Sequence, residues 1–141
     1  MILYVDTSAL VKVYVAEPGS SEVRRRIDQA GAVATALVTY AEARAAFARH
    51  QREGELTRAD LRQAVRALDR DWATYNVIDL SDSLVHSAGE LAERHALRGY
   101  DAVQLAAVLE LRAAGGPVEF CAFDSRLNRA ARRERLAVRN V

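Results

Sequence analysis

Four carboxylates stand where a carboxylate can do chemistry: Asp6, Glu42, Asp101 and Asp124. Asp6 follows the apolar run Ile2, Leu3, Tyr4, Val5, a short continuous run that reads as a strand buried on both faces. Asp124 follows a further segment read as a strand, residues 118–123, apolar except for Glu119. Glu42 and Asp101 fall in the first turns of alanine-rich helical segments. In a parallel sheet the carboxyl ends of the strands and the N-termini of the helices share one edge, so all four acids can meet there. Four close anions repel, and they persist only with a cation among them or with some of them protonated. Carboxylates without an evident histidine or thiolate partner select a hard ion, Mg²⁺ or Mn²⁺, rather than zinc.

Each acid also has an ordinary structural explanation. Glu42 completes a Thr39-x-x-Glu42 capping box, and Asp101 in a first turn is favoured by the helix dipole. Asp6 and Asp124 can each cap the helix that follows. Asp101, however, heads a stripe with Leu105 and Val108 that should face the core, where a lone carboxylate loses solvation. Taken together, these explanations require coincidences at four positions on one edge. Ser8 and Ser125 follow the strand-end acids and can hydrogen-bond ligand carboxylates or bound water, with capping as the alternative for both. His50, His86 and His95 fall on helical segments without metal-ligand spacing, and His86 and His95 read as packing or surface residues.

The elements that must position these acids alternate between strand and helix. Ser8 is read as the cap of a short helix carrying Leu10, Val11 and Tyr14, broken by Pro18-Gly19. A helix over residues 20–30 and a strand over 32–37 follow. Thr39 opens the next helix, ended by Gly54, and Thr57 with Asp60 repeats the capping pattern. Leu61, Val65, Leu68 and Trp72, spaced four, three and four apart, give that helix one apolar face. A strand over 76–80 precedes a helix begun by Ser81, with Leu84, Ala88 and Leu91 inward and Val85 and Ala92 beside them. A helix over 101–114 stops at Gly115-Gly116-Pro117, followed by a strand over 118–123, a basic helix over 125–134 and a strand over 136–139. The expected fold is a single three-layer α/β/α domain, residues 1–141, with a mainly parallel sheet of about five strands.

Composition agrees with that reading. The chain of 141 residues is half hydrophobic and 28% charged, as soluble globular domains are, which excludes disorder as the main state. No apolar run approaches the roughly 20 residues that cross a bilayer, and no basic segment precedes the N-terminal apolar residues as in a signal peptide. A cytoplasmic protein without membrane contact is expected. Cys121 stands alone among apolar neighbours and reads as a buried thiol. The net charge of +1 does not announce a nucleic-acid binder, although Lys12 is the only lysine among 20 basic residues and the rest are arginine.

The segments YVDTSALVKVYVAEPGS from Tyr4, TYAEARAAF from Thr39, LRGYDAVQLAA from Leu97 and AFDSRL from Ala122 resemble a PIN-domain ribonuclease, specifically the VapC toxins of bacterial toxin–antitoxin pairs. Their order, spacing and one acid per block match that family across nearly the whole chain. No single block is specific; the four together are. The resemblance implies a PIN-like fold with Asp6, Glu42, Asp101 and Asp124 as the metal-binding catalytic centre. It implies a homodimer, cleavage of single-stranded RNA and neutralisation by a small cognate VapB-like antitoxin. Relatives often carry a hydroxyl two places before the last acid, where Ala122 stands here.

Phosphodiester hydrolysis needs a nucleophilic water, charge relief on phosphate and help for the leaving oxygen, and a carboxylate-held Mg²⁺ or Mn²⁺ can supply all three. Asp6 and Asp101 are the expected principal ligands, with Asp124 and Glu42 completing the site. Arg126, Arg129 and Arg133, three and four apart after Asp124, form a face that can hold RNA phosphates or simply be solvated. Two other enzyme classes fail at named positions. A phosphoacceptor receiver domain wants an acidic pair after the first strand and a late lysine, but Thr7-Ser8 follow Asp6 and no lysine follows Lys12. A haloacid-dehalogenase phosphatase wants an acid where Ser8 stands. The non-enzymatic alternative is a PIN-like module that binds RNA or a partner without cutting.

Overall fold

The computed structural model describes residues 1–139, which form five strands and seven helices. In chain order they are β1 (Ile2–Val5), α1 (Thr7–Tyr14), α2 (Ser20–Gln29), β2 (Ala32–Ala36), α3 (Thr39–Arg52) and α4 (Arg58–Trp72). β3 (Asn76–Ile78), α5 (Asp82–His95), α6 (Gly99–Ala113), β4 (Val118–Cys121), α7 (Ser125–Arg133) and β5 (Ala137–Val138) complete the order. All strand pairs are parallel, in the order β3-β2-β1-β4-β5. Chain order runs outward in opposite directions from β1 and β4, so the switch point of the sheet lies between these two strands. Open α/β sheets keep their ligand crevice outside the carboxyl ends of such a pair.

Alternation along the strands separates two cores. Leu3, Val5 and Cys121 point to one face, where they pack with Leu10, Val23, Phe47 and Leu68 from α1–α4. Tyr4, Phe120 and Ala34 point to the other, against Leu84, Leu105, Val108 and Leu127 from α5–α7. The result is the three-layer α/β/α arrangement that alternating strands and helices imply. In α4 the expected face holds, with Val65 and Leu68 buried and Leu61 and Trp72 partly so. Leu84, Ala88 and Leu91 are buried in α5, whereas Val85 is exposed. Among the described residues no helix is long and apolar enough to cross a membrane.

The differences from the expected boundaries are local. Each of the last four strands is shorter than its apolar run suggests, because a strand lasts only as long as its neighbour can pair with it. Two expected caps are also replaced. α1 begins at Thr7, and its cap is Asp6, whose Oδ1 accepts from Ala9 N at 2.9 Å, rather than Ser8. α3 has no Thr39–Glu42 capping box: Thr39 is already helical behind Val38, and its hydroxyl turns inward to Thr35 and Gln104. The Thr57–Asp60 box of α4 does form, with both reciprocal bonds at 3.0 Å.

Candidate active site

Asp6, Glu42, Asp101 and Asp124 all line one open cavity of about 670 Å³ at the carboxyl end of β1 and β4. Their delivery follows from the topology. β1 ends directly into Asp6, and the β4–α7 connection ends in Asp124. Glu42 and Asp101 come from the first turns of α3 and α6, which begin at the same sheet edge. α6 starts two residues earlier than its apolar stripe suggests, so Asp101 is its third residue.

Asp6 is the buried member, with 4% of its surface exposed. Its Oδ1 accepts from Ser8 Oγ at 2.7 Å and from Ala9 N at 2.9 Å. Burial pushes its carboxyl up to about 7; those two hydrogen bonds oppose the rise, and the charges of Asp101 and Asp124 add to it. Ser8 also accepts from the Phe123 amide at 3.0 Å, tying Asp6 to the segment that delivers Asp124. Asp124 caps α7, its Oδ1 accepting from the amides of Arg126 and Leu127 at 2.9 and 3.1 Å.

Glu42 is held by a hydrogen-bonded group that links both layers. Its Oε1 accepts from Thr7 Oγ1 at 2.7 Å and from Gln104 Nε2 at 3.2 Å. Gln104 is 2% exposed; its Nε2 also reaches Thr39 Oγ1 at 2.9 Å, and its Oε1 accepts from Tyr4 Oη at 2.6 Å. Burial, with the nearby Asp6 and Glu42 charges, raises the Tyr4 phenol well above its ordinary value, so it remains a donor. Gln104 is a site residue that the sequence reading did not single out. Its signal was present: a polar side chain three places after Asp101, inside the apolar stripe of α6.

A second such residue is Arg98, the cap position of α6. Its Nε donates to Asp101 Oδ2 at 3.1 Å, and its Nη2 lies 3.8 Å from Asp124 Oδ2. The guanidinium therefore spans two of the four acids while its side chain stays 78% exposed. Among the described residues no three His, Cys, Asp or Glu side chains form a group set to grip one ion. The donor chemistry nevertheless fits a hard divalent cation: four carboxylates on one cavity, one of them desolvated and raised by its anionic neighbours.

Other expected residues lie elsewhere. Ser125, Arg126, Arg129 and Arg133 are exposed on α7, and none of them is among the side chains lining this cavity. The basic residues that do line it are Lys12, Arg49, His50, Arg52 and Arg98. His95 is buried beside Glu134, with Nε2 2.7 Å from its Oε2, while His86 is exposed, as packing and surface roles require.

A family model described as the PIN domain matches residues 3–133. The chain is 37% identical over 131 residues to ribonuclease VapC45 of Mycobacterium tuberculosis (strain CDC 1551 / Oshkosh), covering 92% of this chain and 89% of that protein. Among solved structures it resembles Mycobacterium tuberculosis VapC20, a sarcin–ricin loop cleaving toxin, with a TM-score of 0.67 and 19% identity over 91% of this chain and 94% of that one. VapBC2 from Rickettsia felis, bound to a DNA fragment from its promoter, has a TM-score of 0.67 and 16% identity, covering 99% and 98% of the two chains.

Proposed function

The chain belongs to the PIN-domain family, and on that premise we propose that it is a divalent-metal-dependent endoribonuclease, the toxin of a VapBC-type pair. One observation carries this reading: four carboxylates from four separate elements line a single cavity at the switch point of the sheet. We assign Asp6 and Asp101 as the principal ligands of Mg²⁺, with Mn²⁺ the alternative, and Glu42 and Asp124 as completing the site. When bound, the ion supplies Lewis-acid activation of water and charge relief on the phosphate. Ser8 and the Ala9 amide fix the orientation of Asp6, while Thr7 and Gln104 do the same for Glu42. Water attacks phosphorus as the bond to the 3′-oxygen breaks and that oxygen takes a proton, leaving a 5′-phosphate and a 3′-hydroxyl. The whole chain, residues 1–141, is read as one PIN domain acting in the cytoplasm as a homodimer, restrained by a small VapB-like antitoxin; the VapBC2 assembly of the same fold supports that pairing.

The test is incubation of the purified chain with defined single-stranded RNAs in Mg²⁺, Mn²⁺ or EDTA, beside Asp6→Asn. Metal-dependent cleavage by the wild type and none by the variant is expected. Full cleavage by Asp6→Asn overturns the site, and RNA binding without any cleavage favours the non-cutting module. Growth arrest on expression, relieved by the product of a small adjacent gene, tests the toxin role.

A further inference from the structure

The cavity has a basic side, and it is not on the helix that carries most of the neighbouring arginines. Along α3 the residues lining the cavity are Glu42, Ala45, Ala46, Arg49, His50 and Arg52, and within them Glu42, Ala46, Arg49 and Arg52 follow one another at three- or four-residue steps, one stripe of a helix. At about 1.5 Å per residue, Arg49 and Arg52 stand roughly 10 and 15 Å along the helix from Glu42. The two alanines between leave the trough open. Both arginines are exposed, and among the described residues neither guanidinium has a hydrogen-bond or ion-pair partner.

Lys12 lines the same cavity and is built into its position. Its Nζ donates to Glu17 Oε1 at 3.1 Å and sits 4.6 Å from the centre of the Phe123 ring, one residue before Asp124. The turn at Gly19 presses on both side chains. A Cβ there would stand 2.8 Å from the Phe123 ring and 3.2 Å from the Lys12 stem, and the φ of +97° is itself one that favours glycine. An ammonium has three protons and Glu17 takes one, while Lys12 itself lines the cavity. This is also the one position where an otherwise arginine-only chain carries lysine, the compact cation that fits between a carboxylate and a ring.

Resting on the nuclease reading above, we propose that Lys12, Arg49 and Arg52 form the phosphate-holding side of the cavity and grip the RNA backbone next to the bond that is cut. Arg126, Arg129 and Arg133 then contribute nothing specific to that grip. The test is fluorescence anisotropy of a labelled single-stranded RNA with the full chain in EDTA, across a salt series. Arg49→Gln with Arg52→Gln should weaken binding at least fivefold. It should also reduce the salt slope by about 1.4, since each phosphate contact to a single strand contributes about 0.7. Lys12→Gln should reduce the slope by about half as much. Arg126→Gln, Arg129→Gln and Arg133→Gln combined should leave affinity and slope unchanged. In Mg²⁺ the Arg49, Arg52 variant should cut with raised KM and a kcat within about twofold of wild type. Unchanged affinity and slope in the Arg49, Arg52 variant, or loss confined to the α7 triple variant, overturns the assignment while leaving the nuclease reading intact. A wild-type chain that neither binds nor cuts RNA overturns both.

Discussion

Arg26 and Asp6 are both buried charges held beside β4, but only one of them meets an opposite charge. Arg26, 2% exposed, donates through Nη2 to Glu119 and through Nη1 to the Cys121 thiol, and Arg139 reaches the same Glu119 at 3.1 Å. Among the described residues Asp6 has hydrogen bonds from Ser8 and Ala9 but no cation partner; its charged neighbours are Asp101 and Asp124. Cys121 touches both regions, with its thiol on Arg26 and its carbonyl accepting the Asp6 amide at 3.2 Å. A buried pair that balances its charge belongs to the architecture. A buried anion faced by more anions opposes folding, and it makes sense at a place meant to receive a cation.

Substitutions should therefore separate the two regions by sign. Asp6→Asn or Asp101→Asn should reduce RNA cleavage by about 100-fold or more, the scale seen when a group stabilising transition-state charge is lost, while the protein stays folded. Arg26→Met should do the reverse. Removing one partner of a buried pair costs about 3–5 kcal/mol, so denaturant unfolding should move to lower concentration while cleavage per folded molecule is retained. Loss of cleavage in folded Arg26→Met, or a destabilised Asp6→Asn, would erase the contrast.

The sequence made one of these regions much more legible than the other. Asp6 and Asp124 were readable because apolar runs deliver them, and the order of the blocks put Glu42 and Asp101 on the same edge. The three layers and the parallel sheet followed from the strand–helix alternation. What the sequence hid was pairing across distance. The Thr39–Glu42 spacing looked like a cap, yet Glu42 turns to Thr7, 35 residues away, because Thr39 is drawn inward by Thr35 and Gln104. Gln104 and Arg98 lie inside the LRGYDAVQLAA block, but the block does not show their partners: Gln104 meets Tyr4, Thr39 and Glu42, and Arg98 approaches Asp124, only in the folded chain. The basic row of α7 was legible as a row, but a helix face alone does not say which cavity it borders. Arg26 offered no sign in its own segment that it would be buried.

The contrast is sharpened by pH, since of these two buried groups it is Asp6 that faces like charges. Its folded pKa of about 7 exceeds the ordinary aspartate value of 3.8. Between those values the native chain keeps a proton that the unfolded chain has released, so this group's stability contribution is complete below about 4 and is lost as pH rises toward 7. In EDTA, Asp6→Asn should therefore melt at nearly the wild-type temperature at pH 4. It should melt several degrees higher at pH 8, the difference growing through the interval and then levelling. At pH 8, Mg²⁺ should raise the melting temperature of the wild type more than that of the variant. A constant difference across pH would mean that the variant acts through packing or the α1 cap rather than through charge.

The smallest effect concerns Arg98, the cation that stands in for balance on the exposed side of the acids. It pairs with Asp101 and approaches Asp124, and these contacts, the hydrogen bond to Asp101 first, raise its own pKa. Solvent screens such a pair, so Arg98→Met should leave the melting temperature within about 1–2 °C of wild type. Its removal matters more to a competitor for the same carboxylates. Mn²⁺ titrated calorimetrically into Arg98→Met should bind a few-fold more tightly than into the wild type, and Arg26→Met should show no such gain. Weaker Mn²⁺ binding in Arg98→Met would instead make Arg98 a support of the acids, holding Asp101 and Asp124 in place for the ion rather than occupying its position.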